Sequence, residues 1–166
     1  NTENLKQAGI IKASGSALLV IDFQNFNANK KGFLGHLFDD KNHAVAKTKI
    51  VIDNAHKAGV PVIYLNTMLN PQLMPNTALF TALKKMIPWN KLTPQERDWN
   101  FAVIDELKPH EGDYVVVKGS WSNGFRNTNL NDIVRALKIN TLVFTGVAEP
   151  IAIYGTFLGA WDEGLE

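Results

Sequence analysis

The segment TGVAEPIA, residues 145–152, carries the transition from the most apolar late strand of the chain into a helix. The residues before it, TLVF at 141–144, are mostly apolar and predict a strand buried within a sheet. In an open α/β sheet, ligands bind at the carboxyl ends of the strands, where a following helix directs free N–H groups at them. The segment therefore predicts both the fold class and the place of a functional site.

The rest of the chain repeats this alternation of strand and helix. Short apolar runs predict strands at residues 16–21, 61–65, 113–117 and 141–145. Helical periodicity with start and stop signals predicts helices at residues 42–58, 93–107, 129–138 and 151–163. This order predicts a doubly wound, Rossmann-like α/β fold, with a mostly parallel sheet, helices on both faces and one domain over residues 1–166. Another strand normally follows the last helix, so we expect the domain to be C-terminally incomplete.

A long segment, residues 66–90, separates the second strand from the next helix. Pro71, Pro75 and Pro88 divide it into loop and short helix. Because it leaves the carboxyl end of a strand, we predict that this segment covers the functional site.

Composition excludes several classes of partner. The 17 basic and 16 acidic residues give a formal charge of +1, which predicts neither a nucleic-acid partner nor an anionic membrane. No run approaches the roughly 20 apolar residues that span a bilayer. A small-molecule substrate or a protein partner remains.

The chain contains no cysteine and four histidines. The absence of cysteine excludes disulfides, thiolate metal ligands and thiol catalysis, and it fits a reducing compartment, so we predict the cytoplasm. The histidines show no metal-binding spacing, and neither a metal nor another cofactor is predicted.

Polar residues follow three of the predicted strands. Asp22 follows the first, Lys118 the third, and the turn at residues 146–152 the fourth. A carboxylate, an ammonium and a nucleophile at one sheet edge suit acyl transfer from an amide or urea. Taken singly, Asp22 fits an ordinary turn, Lys118 a solvated charge and Glu149 a helix start.

Aromatic residues near the strand ends supply candidates for a binding pocket. Most are expected to serve in the core or the cover, and pocket contact is expected for Phe26 and Trp121.

Three motifs, in order and spacing, resemble the isochorismatase-like cysteine hydrolases: ALLVIDFQN at 17–25, VK at 117–118 and TGVA at 145–148. In that family the fourth residue after the TGVA alanine is the nucleophilic cysteine. Here that residue is Ala152.

The resemblance implies a triad of Asp22, Lys118 and the residue at 152. It also implies a cis peptide between Val147 and Ala148 that shapes an oxyanion hole. The remaining residues predicted for the site are the oxyanion N–H groups of Val147, Ala148 and Ala152, and the substrate-pocket residues Gln24, Phe26, Trp121 and Glu149.

The function that follows is a hydrolase scaffold for the C–N bond of a small amide or ureide. Ala152 removes the nucleophile, by engineering or by natural loss, so the chain as written is predicted to be inactive. Nicotinamidases of the family resemble it less, because their metal-binding Asp and His have no counterpart in residues 66–76. The family commonly forms dimers or tetramers, and a homo-oligomer is expected.

Two alternatives remain open at this point. One is a non-catalytic protein that kept the pocket for binding or a surface for assembly, and the other is an enol-ether hydrolase of the isochorismate type. A nucleotide-binding protein is disfavoured, because no strand is followed by a glycine-rich phosphate loop.

Overall fold

Four parallel strands form the sheet at the centre of the computed structural model, which describes residues 11–37 and 41–166. The strands are β1 (Ser16–Ile21), β2 (Val62–Thr67), β3 (Tyr114–Lys118) and β4 (Thr141–Gly146). Their order is β3-β2-β1-β4, and every pairing is parallel. The chain therefore builds the sheet outward from β1 in one direction and then returns to its other side. The switch point lies between β1 and β4, which is where ligands bind in folds of this class.

Helices connect the strands and cover the sheet. In the described residues they are α1 (Asn25–Ala28), α2 (Lys41–Lys57), α3 (Ala78–Met86), α4 (Pro94–Phe101), α5 (Leu130–Ala136) and α6 (Tyr154–Asp162). Short 3-10 turns lie at Gly35–Leu37, Trp89–Lys91 and Asp105–Leu107, and a π-helical turn at Glu149–Ile153 precedes α6. No helix among these has both the length and the apolar character that a membrane span requires.

The two faces of the sheet are covered by different helices because successive strand residues point to opposite sides. Leu19 and Ile21 of β1 join a buried cluster with Leu130 of α5 and Ala160 of α6. The alternate residues of β1 pack with Ile52 and Ala55 of α2 in a second cluster. The predicted doubly wound α/β architecture is confirmed.

A third apolar cluster lies over the carboxyl edge of the sheet. Its buried members come from α1, from the loop after α1, from α4 and from the long segment after β2; they are Phe26, Leu34, Leu69, Met74, Ile87 and Phe101. The segment that was predicted to cover the site therefore does so.

The predicted helix over residues 93–107 is too long, because α4 ends at Phe101. Its start is as expected, with Thr93 and Glu96 forming a capping box. At its end, the free carbonyls of the last turn find partners elsewhere: Asn25 Nδ2 donates to Trp99 O at 3.0 Å and Gln24 Nε2 to Phe101 O at 2.6 Å. The side-chain amides of Asn25 and Gln24 therefore supply hydrogen bonds that another helical turn would otherwise have supplied.

The last helix also differs from its prediction at 151–163, since a π-helical turn precedes α6. The glycines of α6 explain how closely it docks. A Cβ at Gly155 would lie 2.7 Å from the Ser122 side chain, and one at Gly159 would lie 2.3 Å from that of Asn123. Only glycine lets α6 approach the loop that follows β3.

Tyr64 buries a hydroxyl that has no hydrogen-bond partner in the described part of the chain. Burial, with a smaller effect of Asp113, raises the pKa of Tyr64 far above its ordinary value of 10.0. The folded phenol therefore stays neutral at pH values where the unfolded chain ionises. The free energy of unfolding therefore does not depend on the ionisation of this phenol below pH 10, and it falls as the pH rises above 10.

We expect Tyr64→Phe to abolish that loss, which amounts to about 1.4 kcal/mol of unfolding free energy per pH unit above 10. Urea unfolding at pH 8 and pH 11 measures it, with the same substitution at the exposed Tyr154 as the matched control. Equal pH dependence of the parent and Tyr64→Phe would contradict the assignment.

Candidate active site

A buried ion pair lies at the carboxyl edge of the sheet. Lys118 Nζ is 3.1 Å from Asp22 Oδ2, and the two side chains are 3% and 7% exposed. The Thr67 hydroxyl donates to Asp22 Oδ1 at 2.8 Å and accepts from Lys118 Nζ. The ends of β1, β2 and β3 thus contribute one side chain each to a closed polar cluster.

The third contact of Lys118 fixes the loop after β3. Its Nζ donates to Trp121 O at 3.3 Å, in addition to Asp22 and Thr67. An ammonium has three N–H donors, so all of them are engaged. Lys118 therefore holds the Asp22 carboxylate in place and keeps a positive charge beside it.

Asp22 has an unusual backbone conformation. Its φ is 58°, in the left-handed region that residues other than glycine rarely adopt. Its N–H still donates to Leu65 O at 3.0 Å, which continues the pairing of β1 with β2. Conformations of this kind are concentrated at functional sites.

Gln24 supports the cluster from behind and does not line the cavity described below, in contrast to the prediction. Its Nε2 donates to Thr67 O at 2.9 Å and to Phe101 O, and its Oε1 accepts from Thr67 N at 2.7 Å. Both N–H groups of the amide are therefore engaged with backbone. Gln24 fixes the end of β2, and with it the Thr67 hydroxyl.

A cavity of about 150 Å³ opens beside the ion pair. Asp22, Lys118 and Ala152 all line it, so the structure brings together the three residues predicted to meet there. The remainder of the wall is mostly apolar and comes from the covering segments and the turn after β4. These other lining residues are Phe26, Asn27, Leu34, Leu37, Thr67, Leu69, Leu79, Phe80, Leu83, Gly119, Ser120, Trp121, Ser122, Ala148 and Ile151.

Phe26 and Trp121, the two aromatic residues predicted to contact the pocket, both line it. Phe26 is buried and stacks on Phe33 with ring centroids 5.6 Å apart. Trp121 is half-buried, and the Arg126 guanidinium lies 3.9 Å from its ring centroid. The side chain of Glu149, the remaining predicted pocket residue, lies outside the described part of the structure.

Thr67 is the site residue that the sequence analysis missed. The second strand was predicted to end at residue 65, and β2 continues to Thr67. The signal was present in the sequence, because a hydroxyl residue at a strand end shares the sheet edge of Asp22 and Lys118. Asn27 and Ser120 were missed as well.

The sequence profile of the Isochorismatase domain matches residues 16–166, which includes all the residues described above as forming the site. The chain belongs to the isochorismatase family. This is a family of hydrolases, as the resemblance had indicated.

Two relatives of known name are ureidoacrylate amidohydrolases called RutB. The protein from Yersinia enterocolitica serotype O:8 / biotype 1B is 36% identical over 156 residues, covering 86% of this chain and 67% of its own length. The protein from Agrobacterium fabrum is 32% identical over 164 residues, covering 91% and 72%. The chain thus spans about two thirds of the length of the first and slightly more of the second.

Solved structures share the fold. A cysteine hydrolase from Pseudomonas syringae pv. phaseolicola 1448A superposes with a TM-score of 0.78 at 22% identity, covering 94% of this chain and 70% of that one. N-carbamoylsarcosine amidase from Thermoplasma acidophilum gives 0.70 at 28% identity, covering 91% and 78%.

The family-derived prediction of a cis peptide between Val147 and Ala148 is wrong for this structure, in which the bond is trans. The chain turns instead through Ala148, whose φ is 59°. The Ala148 carbonyl then accepts from the N–H groups of Ile151 and Ala152 at 3.0 and 3.1 Å. A left-handed residue makes the turn, so the costlier cis form is not required.

The three N–H groups predicted to form an oxyanion hole do not behave alike. Val147 N–H donates to Ile21 O at 3.2 Å, and Ala152 N–H is used within the helical turn. Ala148 N–H has no acceptor among the described residues, and Ala148 lines the cavity. Of the three, Ala148 N–H is the donor free to meet a ligand.

The charge lining the cavity is confined to one pair. Across residues 11–37 and 41–166, no three His, Asp or Glu side chains are grouped as metal ligands would be. The ionisable residues of the described cavity wall are Asp22 and Lys118, and they bind each other. Any further polar contact to a ligand must come from uncharged groups in this part of the chain.

Proposed function

We propose that this chain is the scaffold of an amidase or ureide hydrolase that binds a small substrate in the cavity beside Asp22 and Lys118. With Ala152 at the nucleophile position, it binds the substrate without hydrolysing it. The observation that carries the proposal is the buried Asp22–Lys118 pair on the wall that also contains Ala152. Among the described residues, this enclosed carboxylate and ammonium bond each other, Thr67 and one backbone carbonyl, and such a pair suits proton transfer at a neighbouring atom.

The roles follow from these contacts. Asp22 is the proton acceptor; its Oδ1 accepts a hydrogen bond from the Thr67 hydroxyl, and its Oδ2 accepts one from Lys118 Nζ. Ala148 N–H is the candidate donor to the oxyanion that forms when a carbonyl carbon is attacked. Position 152, in the π-helical turn that precedes α6, is where the attacking atom of a hydrolase of this family would lie.

The names of the relatives favour an amide or ureide over an enol ether. Both RutB proteins are named as amidohydrolases, and the structural neighbour with 28% identity is named as an amidase. All three names describe cleavage of an amide-type bond, which the proposal extends to this chain.

A non-catalytic binding protein is the second candidate, and Ala152 is the observation that favours it. A methyl group cannot attack a carbonyl carbon, whereas the cavity and its Asp22–Lys118 pair are present. The two candidates agree on binding and differ in whether a restored thiol gives turnover.

The test is ligand binding without turnover. We expect small amides and ureides to raise the melting temperature of the parent chain and to be recovered intact by mass spectrometry after prolonged incubation. Leu79→Trp, at a cavity-lining residue that is 44% exposed, should weaken binding about tenfold or more by obstructing the cavity.

Leu73→Trp is the matched control, because Leu73 belongs to the same segment, is 72% exposed and is absent from the cavity wall. Binding that is indifferent to Leu79→Trp would place the ligand elsewhere. Turnover by the parent chain would contradict the proposed inactivity, and binding of enol ethers alone would contradict the proposed substrate class.

The proposal includes a cytoplasmic homo-oligomer, with residues 1–166 belonging to one hydrolase domain. Support for assembly comes from exposed apolar side chains of α6, where Tyr154, Phe157 and Leu158 are 44–53% exposed and Trp161 is 70% exposed. Sedimentation velocity at micromolar concentration tests the oligomeric state, and a single monomeric species would contradict the proposed assembly.

A further inference from the structure

Two uncharged polar side chains on the cavity wall each have one atom without a hydrogen-bond partner among the described residues. Asn27 and Ser120 are 3% and 7% exposed, and Asn27 Oδ1 and Ser120 Oγ have no hydrogen-bond partner in the described part of the chain. Both residues line the same cavity as Asp22 and Lys118. Buried polar atoms are nearly always hydrogen-bonded, so these two atoms call for a partner that enters the cavity.

Their position on the cavity wall distinguishes them from other unpaired atoms. Six buried side-chain polar atoms lack a partner among the described residues, and the other four belong to residues away from the cavity wall: His56, Tyr64, Asn66 and Trp89. A ligand in the cavity would therefore lie beside Asn27 and Ser120 and beside none of the other four residues.

Neighbouring residues show that Asn27 is exceptional within its own segment. The amides of Gln24 and Asn25, just before it, donate to the backbone carbonyls of Thr67, Phe101 and Trp99. The carboxamide oxygen of Asn27, in contrast, has no hydrogen-bond partner in the described part of the chain. The two preceding amides hold the segment in place, and Asn27 is left available at the cavity.

Ser120 is held in a comparable way. It lies between Lys118 and Trp121, and the bond from Lys118 Nζ to Trp121 O fixes the two ends of this short loop. Its hydroxyl can donate or accept, while the Asn27 oxygen accepts only. The missing partner must therefore supply at least one N–H or O–H donor.

We propose that Asn27 and Ser120 form a polar subsite that binds an uncharged N–H-bearing group of the ligand. The inference rests on the proposed function, because an amide or ureide carries such a group. The charged groups of the described wall are already paired, so a carboxylate in the subsite would have no free cation to meet. Asn27 and Ser120 thereby select a neutral amide or ureide nitrogen over an acid of the same shape.

The probes are butyramide, N,N-dimethylbutyramide and butyrate, which share a carbon chain and differ in N–H donors and charge. Dissociation constants come from ligand-observed NMR titrations of the parent chain, Asn27→Leu, Ser120→Ala and the double variant. We expect the parent to prefer butyramide at least about tenfold over each analogue, since a lost hydrogen bond to a buried group has roughly this effect.

The double variant should bind butyramide about tenfold or more weakly and lose the preference over the dimethyl analogue. Tyr64→Phe is the matched control, because it also removes a buried unpaired polar atom but away from the cavity wall. Thermal unfolding confirms that each variant is folded, and Ser120→Ala alone decides the matter if Asn27→Leu does not fold.

The outcomes separate the two proposals. If no amide or ureide binds the parent chain, the proposed function fails and the subsite fails with it. If butyramide binds the parent and the Ser120 and Asn27 variants equally well, the subsite alone is overturned. Tighter binding of butyrate than of butyramide would also overturn it.

Discussion

The Ala152→Cys variant is expected to hydrolyse small amides or ureides with a rate at least about 1,000-fold above that of the parent chain, because it restores the missing nucleophile. The introduced thiol would line the cavity that holds the Lys118 ammonium and would lie in the π-helical turn on the N-terminal side of α6. Both features lower the pKa of a thiol and favour the attacking thiolate. Product release is measured by mass spectrometry over a panel of amides, ureides and enol ethers.

The expected chemistry defines a second readout. The thiol proton passes to the Asp22 carboxylate, and the sulfur attacks the carbonyl carbon. The C–N bond then breaks, and the amine leaves with the proton from Asp22. Water adds to the thioester carbon, the C–S bond breaks, and the acid is released with the thiol regenerated. The thioester should be visible as an increase in the intact mass of the variant.

Ala160→Cys is the matched control, since Ala160 is also a buried alanine near the C-terminus and is absent from the cavity wall. It should form no adduct and no product. Ala152→Ser, which adds a far less acidic group, should remain much slower than Ala152→Cys. A folded Ala152→Cys variant that stays inert over the whole panel would reject the hydrolase scaffold in favour of the binding protein.

The second large effect is on stability, because Asp22→Asn leaves the Lys118 ammonium buried without a counter-charge. Both side chains of the pair are less than a tenth exposed. Removing one partner of such a pair typically lowers the unfolding free energy by about 3–5 kcal/mol. Urea unfolding at neutral pH measures the loss.

Two comparisons isolate the cause. Asp22→Asn combined with Lys118→Met removes both charges and should recover much of the lost stability. Asp53→Asn breaks the Lys49–Asp53 pair, whose side chains are 55% and 41% exposed, and should cost less than about 1 kcal/mol. If Asp22→Asn costs no more than Asp53→Asn, the pair at the sheet edge does not behave as a buried ion pair.

Much of the fold could be predicted because local patterns and tertiary structure agree in it. Apolar runs of strand length gave β1 within its observed bounds, and β2, β3 and β4 within two residues of theirs. The strand-end rule then placed Asp22, Lys118 and position 152 at one edge of the sheet, where they line one cavity. Apolar runs and polar strand ends are local features of the sequence, so they can be recognised without knowledge of distant contacts.

The predictions that failed depended on partners distant in sequence. The end of α4 is decided by donors from Gln24 and Asn25, which lie more than 70 residues away in the chain. Gln24 was placed in the pocket, yet its amide is taken up by the backbone of Thr67 and Phe101. No local pattern reveals which carbonyl an amide side chain will reach.

The sequence by itself determined the class of fold, the edge of the sheet that carries the polar residues and the methyl group that stands at position 152. These follow from hydrophobic periodicity and from the identity of single residues. Only the tertiary structure decided that Thr67 joins Asp22 to Lys118 and that the Val147–Ala148 bond is trans. It also decided that Asn27 and Ser120 line the cavity, each with an oxygen atom that has no hydrogen-bond partner among the described residues. Hydrogen bonds act over about 3 Å and require both partners in place, so their pattern emerges only when distant segments have been brought together.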